Sequence, residues 1–260
     1  MVKTFSMATL QRVIEQSIAS SGEVWLKQRA VIEFLTTEGT SRAQFKAGCK
    51  VETLRACGDD FVPYAQKTHL ESSGALFTKA CPNLKQQIAC CMKFTQDCIE
   101  NVPKIASTLV LGAFKETLDG ICTAGSKEHG VYDKAIGCMN SVGAKLNSCW
   151  RTFRGHMQKA VVKAPITGVL PHTCCAYHDL VSCADQSLTP CESTGGKELS
   201  VGVLERAFGD AVNLVCGEHT KGSEACKALP KLPALGASDR KIDNYIELLA
   251  EAAVTFGRKN

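Results

Sequence analysis

No stretch of this 260-residue chain approaches the roughly 20 apolar residues of a membrane span. Nor is there a basic stripe. The net charge is +4, with Lys and Arg scattered among Asp and Glu, so the electrostatic footprint of a nucleic-acid-binding protein is missing. No segment alternates apolar and polar residues as a half-buried strand would, and a sheet is not expected. The Gly-x-Ser-x-Gly hydrolase elbow, the phosphate-binding P-loop and the dinucleotide fingerprint are all absent. So is the Asn-x-Ser/Thr glycosylation sequon. The opening residues Met1 to Met7 carry no apolar signal-peptide run and lead straight into a polar-studded helical pattern, which reads as the start of a mature chain.

What the chain has in excess is cysteine: 15 of them, spread from Cys49 to Cys226. Structural zinc sites use paired Cys-x2-4-Cys units. Here the closest spacings are the vicinal pairs Cys90-Cys91 and Cys174-Cys175, followed by gaps of seven or eight. Disulfides are therefore expected, which implies an oxidising, secreted or extracellular location. An odd count leaves one thiol over, either free or bridging to another chain in a homo-oligomer.

Apolar residues recur at helical spacing almost throughout. Leu10, Ile14 and Ile18 mark one helix, and Val24, Val31, Phe34 and Leu35 a second. Ser41 to Cys57 reads as a third, with Ser41 and Gln44 in capping-box positions and Cys49 and Cys57 on one side. Leu84, Ile88, Cys91, Thr95 and Cys98 form a stripe between Pro82 and Glu100. A single long helix is expected from Tyr132 to Val161, and a last one from Ser238 to a stop at Gly257.

Two segments resemble each other. Cys90-Cys91 and Cys98 lead to a helix carrying Ala113-Phe114 and ending at Cys122. Cys174-Cys175 and Cys183 lead to one carrying Ala207-Phe208 and ending at Cys216, and each Phe lies eight residues before its final Cys. The expected architecture is all-α: a disulfide-stapled helical bundle with an internal duplication of a CC-helix hairpin. Its parts are an N-terminal helical segment, 1–80, then cysteine-rich repeats at 81–165 and 166–260, with one compact domain overall as the alternative.

Adjacent helical residues point roughly 100° apart, so each vicinal pair must reach two different neighbours. An antiparallel hairpin brings the end of its second helix to the start of its first. Cys216 is therefore expected to bond Cys174 or Cys175, and Cys122 to bond Cys90 or Cys91, with Cys57 or Cys81 near the remaining member of the first pair.

Two family resemblances follow. The scattered helical cysteines, the late Ala-Phe helix ending in Cys and the stretch Cys226-Lys-Ala-Leu-Pro-Lys-Leu232 resemble small secreted hemolymph proteins of arthropods, including the insect hemolymph glycoprotein family. That resemblance implies class and location, and no activity. Locally, Cys174-Cys175-Ala176-Tyr177-His178-Asp179 resembles the Cys-Cys-x-x-His-Asp motif of secreted phospholipase A2. By that resemblance His178 is a general base, Asp179 a calcium ligand, Asp210 the residue that orients His178, and Cys216 bonds back to the CC-helix. The sequence departs from the family before the CC pair, where Lys163 to Thr173 holds one Gly instead of a Gly-rich calcium loop. It departs again at Cys183, four residues past Asp179 instead of two.

The expected function is a noncatalytic carrier of an apolar small molecule or lipid, with no cofactor. Its cavity would lie between the repeats, lined by Leu109, Phe114, Leu118, Leu204, Phe208 and Val212. The alternatives are a structural, self-associating extracellular protein, and a phospholipase A2-like enzyme or inactive relative, which alone would need calcium.

Overall fold

The computed structural model describes residues 45–253, apart from Ser73, together with Thr255. The two expected helices before residue 40, the Ser41/Gln44 cap, Trp25, Phe256 and Gly257 lie outside the described residues. Among those described there is no strand. Nine α-helices follow in order: α1 Val51–Cys57, α2 Ala75–Cys98, α3 Asn101–Ile121, α4 Lys127–Ser141, α5 Gly143–Lys163, α6 Ile166–Ser187, α7 Gly196–Val215, α8 Glu224–Lys227 and α9 Tyr245–Ala253. A 3-10 turn, Thr189–Thr194, joins α6 to α7.

Each repeat forms a hairpin of a CC-helix and its successor, α2 with α3 and α6 with α7, and the two second helices, α3 and α7, pack against each other. The α2–α3 reversal takes only Ile99 and Glu100, both extended, followed by Asn101 at φ 56°, a left-handed conformation that Asn tolerates. Helix α5 lies along α6, α4 bridges α3 and α7, and α9 rests on α5, α3 and α1. One apolar cluster runs from Leu54 through Phe114, Trp150 and Phe208 to Leu248, continuous across positions 80 and 165. A satellite gathers Phe77, Cys81, Tyr132 and Ile136.

Fourteen cysteines form seven disulfides: Cys49–Cys98, Cys57–Cys90, Cys81–Cys122, Cys138–Cys191, Cys149–Cys183, Cys174–Cys216 and Cys175–Cys226. The Cys216 link joins the vicinal pair of its own repeat as expected, and Cys174 and Cys175 reach different neighbours. In the first repeat Cys90 reaches Cys57 on α1, but Cys122 bonds Cys81, not Cys90 or Cys91. The cause is register. Helix α3 turns back immediately after Cys98 and runs 21 residues, so its end lies beside the N-terminal part of α2, where Cys81 sits, whereas Cys90 is well along that helix. The odd thiol is Cys91, fully buried, so it is not available at the surface to bridge a second chain.

Three expected helix boundaries are corrected. The third helix is only Val51–Cys57, and Cys49 lies before it, beyond Gly48 at φ 87°. The last helix opens at Tyr245, where Asn244 Oδ1 accepts from the Glu247 N–H at 2.9 Å and Asp59 accepts from the Tyr245 N–H at 2.8 Å. The long helix from Tyr132 breaks at Val142, because the backbone at Gly143 abuts the preceding loop: a Cβ there would lie 2.0 Å from the Thr68 carbonyl oxygen. Asn140 and Asn147 flank the break and hold that loop. The Asn140 side chain accepts from the Leu70 N–H and donates to the Leu70 carbonyl, both at 2.9 Å, and Asn147 donates to the Tyr64 carbonyl at 2.8 Å.

Gly143→Ala should therefore destabilise the fold by about 2–3 kcal/mol, since overpacking against backbone has no side chain to yield. Thermal unfolding at matched conditions checks this, and an unchanged midpoint would mean the loop is not in contact there. Replacing both Cys174 and Cys216 by Ser opens a bridge of sequence separation 42. The chain-entropy relation for a loop of that length gives a loss of about 4 kcal/mol, measurable by denaturant titration.

Candidate functional site

The face between α3 and α7 is built by the two Ala-Phe motifs. Phe114 and Phe208 meet edge to face with ring centroids 6.3 Å apart. Phe61 extends this row on one side at 5.9 Å from Phe114, and Tyr177 on the other at 5.5 Å from Phe208. The row of rings lies between two apolar cavities of about 80 Å³ each.

The first cavity is walled by Val110 and Leu111 of α3, Tyr177 of α6, Phe208 and Val212 of α7, and Ile246, Leu249 and Ala253 of α9. The second is walled by Phe114 and Leu118 of α3, Leu146 and Trp150 of α5, Leu199 and Leu204 of α7, and Tyr64 from the loop after α1. The hydroxyls of the three lining tyrosines are engaged by the protein: Tyr177 donates to the Leu204 carbonyl at 3.4 Å, Tyr64 to Asn140 at 3.0 Å and Tyr132 to the Glu71 carbonyl at 2.5 Å. Burial pushes the Tyr177 hydroxyl up to about 12, so this wall stays neutral. The rings face the space with their apolar surfaces.

Five of the six expected lining residues belong to these walls: Phe114, Leu118 and Leu204 to the second cavity, Phe208 and Val212 to the first. Leu109 does not. It is 52% exposed and borders an open surface groove between α3 and α7, with Gly202 and Arg206 across from it. The walls that sequence reasoning missed are α5, α6, α9 and the Tyr64 loop. Helix α9 showed its apolar stripe in the sequence, but nothing there tied it to α3 across more than a hundred residues. It packs into the apolar core through Ile246 and Leu248 and is fixed in register by charge. Glu247, fully buried, accepts from Arg55 Nε at 2.5 Å and Nη2 at 2.7 Å, and Glu251 is paired with Arg240.

The phospholipase-like residues are placed differently. His178 is half-buried on α6 with its ring against Tyr177, 5.4 Å between centroids, and Asp179 is exposed. Nε2 of His178 is buried with no hydrogen-bond partner among the described residues. Burial holds the ring below its ordinary pKa, opposed by Asp179 and a hydrogen bond to the His219 backbone. Asp210 is on α7, and its side chain lies outside the described part of the structure. The segment corresponding to the calcium loop is helical from Ile166 onward, continuous with the CC pair, so its carbonyls are directed along the helix axis and not around an ion. Among the described residues no group of three or more His, Cys, Asp or Glu is arranged to hold a metal.

Both His178 and His172 are held neutral by burial. A base whose folded pKa lies below its unfolded value of about 6.5 costs nothing above that pH. Below it the unfolded chain takes up the proton first, and stability is lost as pH falls toward the folded pKa. Melting temperature should therefore drop on acidification below about pH 6.5. His178→Gln should flatten that drop; an identical pH profile in the variant would show that the ring titrates as it does in water.

Residues 64–203, more than half of the chain, match the model of a family described as protein of unknown function (DUF1397). The matched span runs from the loop that walls the second cavity to the middle of α7. No curated protein and no solved structure matches the chain.

Proposed function

We propose that this chain, which belongs to the DUF1397 family, is a secreted, noncatalytic carrier of an apolar small molecule or lipid. The observation that carries the reading is the pair of apolar cavities on either side of the Phe114–Phe208 contact, inside a core braced by disulfides. Each has a volume of about 80 Å³ and is lined almost wholly by apolar side chains, an environment that favours hydrocarbon over polar groups. Secretion is supported by the seven bridges, which persist in oxidising compartments. No helix among the described residues is long and apolar enough to cross a membrane. Assembly through the odd cysteine is disfavoured by the burial of Cys91, and a phospholipase-like reaction by the helical course of α6 where a calcium loop is needed.

Delipidated protein titrated with a fluorescent fatty acid should bind it saturably. Val212→Trp fills the first cavity and Leu118→Trp the second. One or both variants should weaken binding about tenfold or more, the scale of losing about 1.4 kcal/mol of contact, with the helical circular dichroism retained. Native mass spectrometry of protein from its natural source should show a retained lipid. No saturable binding by the unaltered protein, or binding indifferent to both tryptophans, would remove the carrier reading.

A further inference from the structure

The second cavity adjoins a charged groove, and two residues belong to both: Thr117 and Leu199. Thr117 is nearly buried, and its hydroxyl faces Arg206 Nη2 at 3.5 Å, so the boundary between apolar and polar space runs along this pair. The groove beyond has a volume of about 490 Å³ and is bordered by the carboxylates of Glu116, Glu128 and Glu198 and by the cations Lys127 and Arg206. All five of these side chains are exposed. Gly120 in its floor lets Glu128 lie across it, since a Cβ there would come within 2.9 Å of the Glu128 side chain. An apolar cavity that shares two wall residues with a groove carrying both signs of charge has the polarity of a single-chain amphiphile with a zwitterionic head.

We propose that the second cavity and this groove form one site for a single-chain amphiphile whose head carries both a phosphate and an ammonium group. The tail lies between Leu118 and Leu204, the ammonium faces Glu128 and Glu198, and the phosphate faces Lys127 and Arg206. The carboxylates outnumber the cations, so a bare fatty-acid carboxylate is disfavoured at the same mouth. This deepens the carrier reading and rests on it.

The test uses three amphiphiles of equal chain length: lysophosphatidylcholine, the free fatty acid and the alkyltrimethylammonium ion, titrated into the delipidated full chain at low and high salt. Lysophosphatidylcholine should bind at least fivefold more tightly than the fatty acid, a preference that shrinks at high salt as exposed charges are screened. Arg206→Glu should weaken lysophosphatidylcholine, and Glu128→Lys with Glu198→Lys should erase its advantage over the fatty acid. These are surface substitutions that leave the core in place. Leu118→Trp should weaken all three ligands. If the fatty acid binds as tightly as lysophosphatidylcholine, or the charge reversals leave the ranking unchanged, the groove does not hold the head; the proposal falls while the carrier reading stands on the tail. If none of the three binds, both fall.

Discussion

The covalent bracing of helix to helix is the constraint on which the rest of this fold depends. The seven bridges close sequence separations from 33 to 53 residues. In the chain-entropy picture a loop of that size is worth about 4 kcal/mol against the unfolded state. A void left in an apolar core costs about 24 cal/mol per Å³. At about 80 Å³, each of the two cavities costs about 2 kcal/mol on that scale. A single bridge thus offsets both. A bundle of these helices without bridges would be driven to collapse onto the Phe114–Phe208 row. The bridges fix α2 against α3 and α6 against α7, and the two hairpins, which no bridge joins, meet through the Phe114–Phe208 contact.

One wall is not tied. Helix α9 contains no cysteine; it is packed into the apolar core through Ile246 and Leu248, and its register is set by ionic and polar contacts. Glu247 and Glu251 are one turn apart on a helix buried on nearly all sides, opposite Arg55 and Arg240. Asp59 adds an acceptor at the first turn, and its own carboxyl is pushed above the ordinary range by burial, against the hydrogen bonds from Tyr245 and Gln66. Buried ion pairs contribute little net stability because desolvation cancels much of the attraction, but removing one partner is costly. Such a contact is weak as glue and strong as a register. It fixes which turn of α9 faces Arg55, and so which residues, Ile246, Leu249 and Ala253, are turned to the first cavity.

These two kinds of contact explain what was legible in the sequence. Helical periodicity exposed the elements because each buries one stripe, and the two Ala-Phe motifs marked the faces that meet. Hairpin geometry tied Cys216 to the vicinal pair of its own repeat, without choosing between Cys174 and Cys175. The Cys122 partner did not follow from it, because that depends on how tightly α2 turns into α3. A two-residue reversal sets Cys122 beside Cys81, whereas the 3-10 turn between α6 and α7 changes the register in the second hairpin. The break at Gly143 was hidden for a different reason. Its cause is the Thr68 carbonyl of a distant loop, and no pattern local to residues 132–161 carries it. Leu109 borders the open groove between α3 and α7 and neither apolar cavity: periodicity gives a stripe, and only packing says how deep each of its residues lies. The pairing of α9 with Arg55 joins residues 192 positions apart, which no local pattern reports.

The odd cysteine raises a chemical difficulty that the fold resolves. Cys91 sits next to Cys90, which is bonded to Cys57, and an ordinary thiol so placed would attack that bridge and exchange partners. Exchange needs the thiolate. Burial, reinforced by the charge of Asp59, pushes the Cys91 thiol up to about 12. At neutral pH the thiolate fraction is then on the order of one part in 10⁵. The sulfur is instead directed to the Gly58 carbonyl at 3.7 Å. In the second hairpin the corresponding position, Cys175, has Cys226 opposite it and is bonded. The first hairpin presents no such partner, and the equivalent cysteine is turned into the core beside Phe94 and Leu54 as a small apolar residue. A thiol that is neither exposed nor ionised leaves the bridge pattern with one stable solution, which keeps an odd number of cysteines compatible with a singly connected fold.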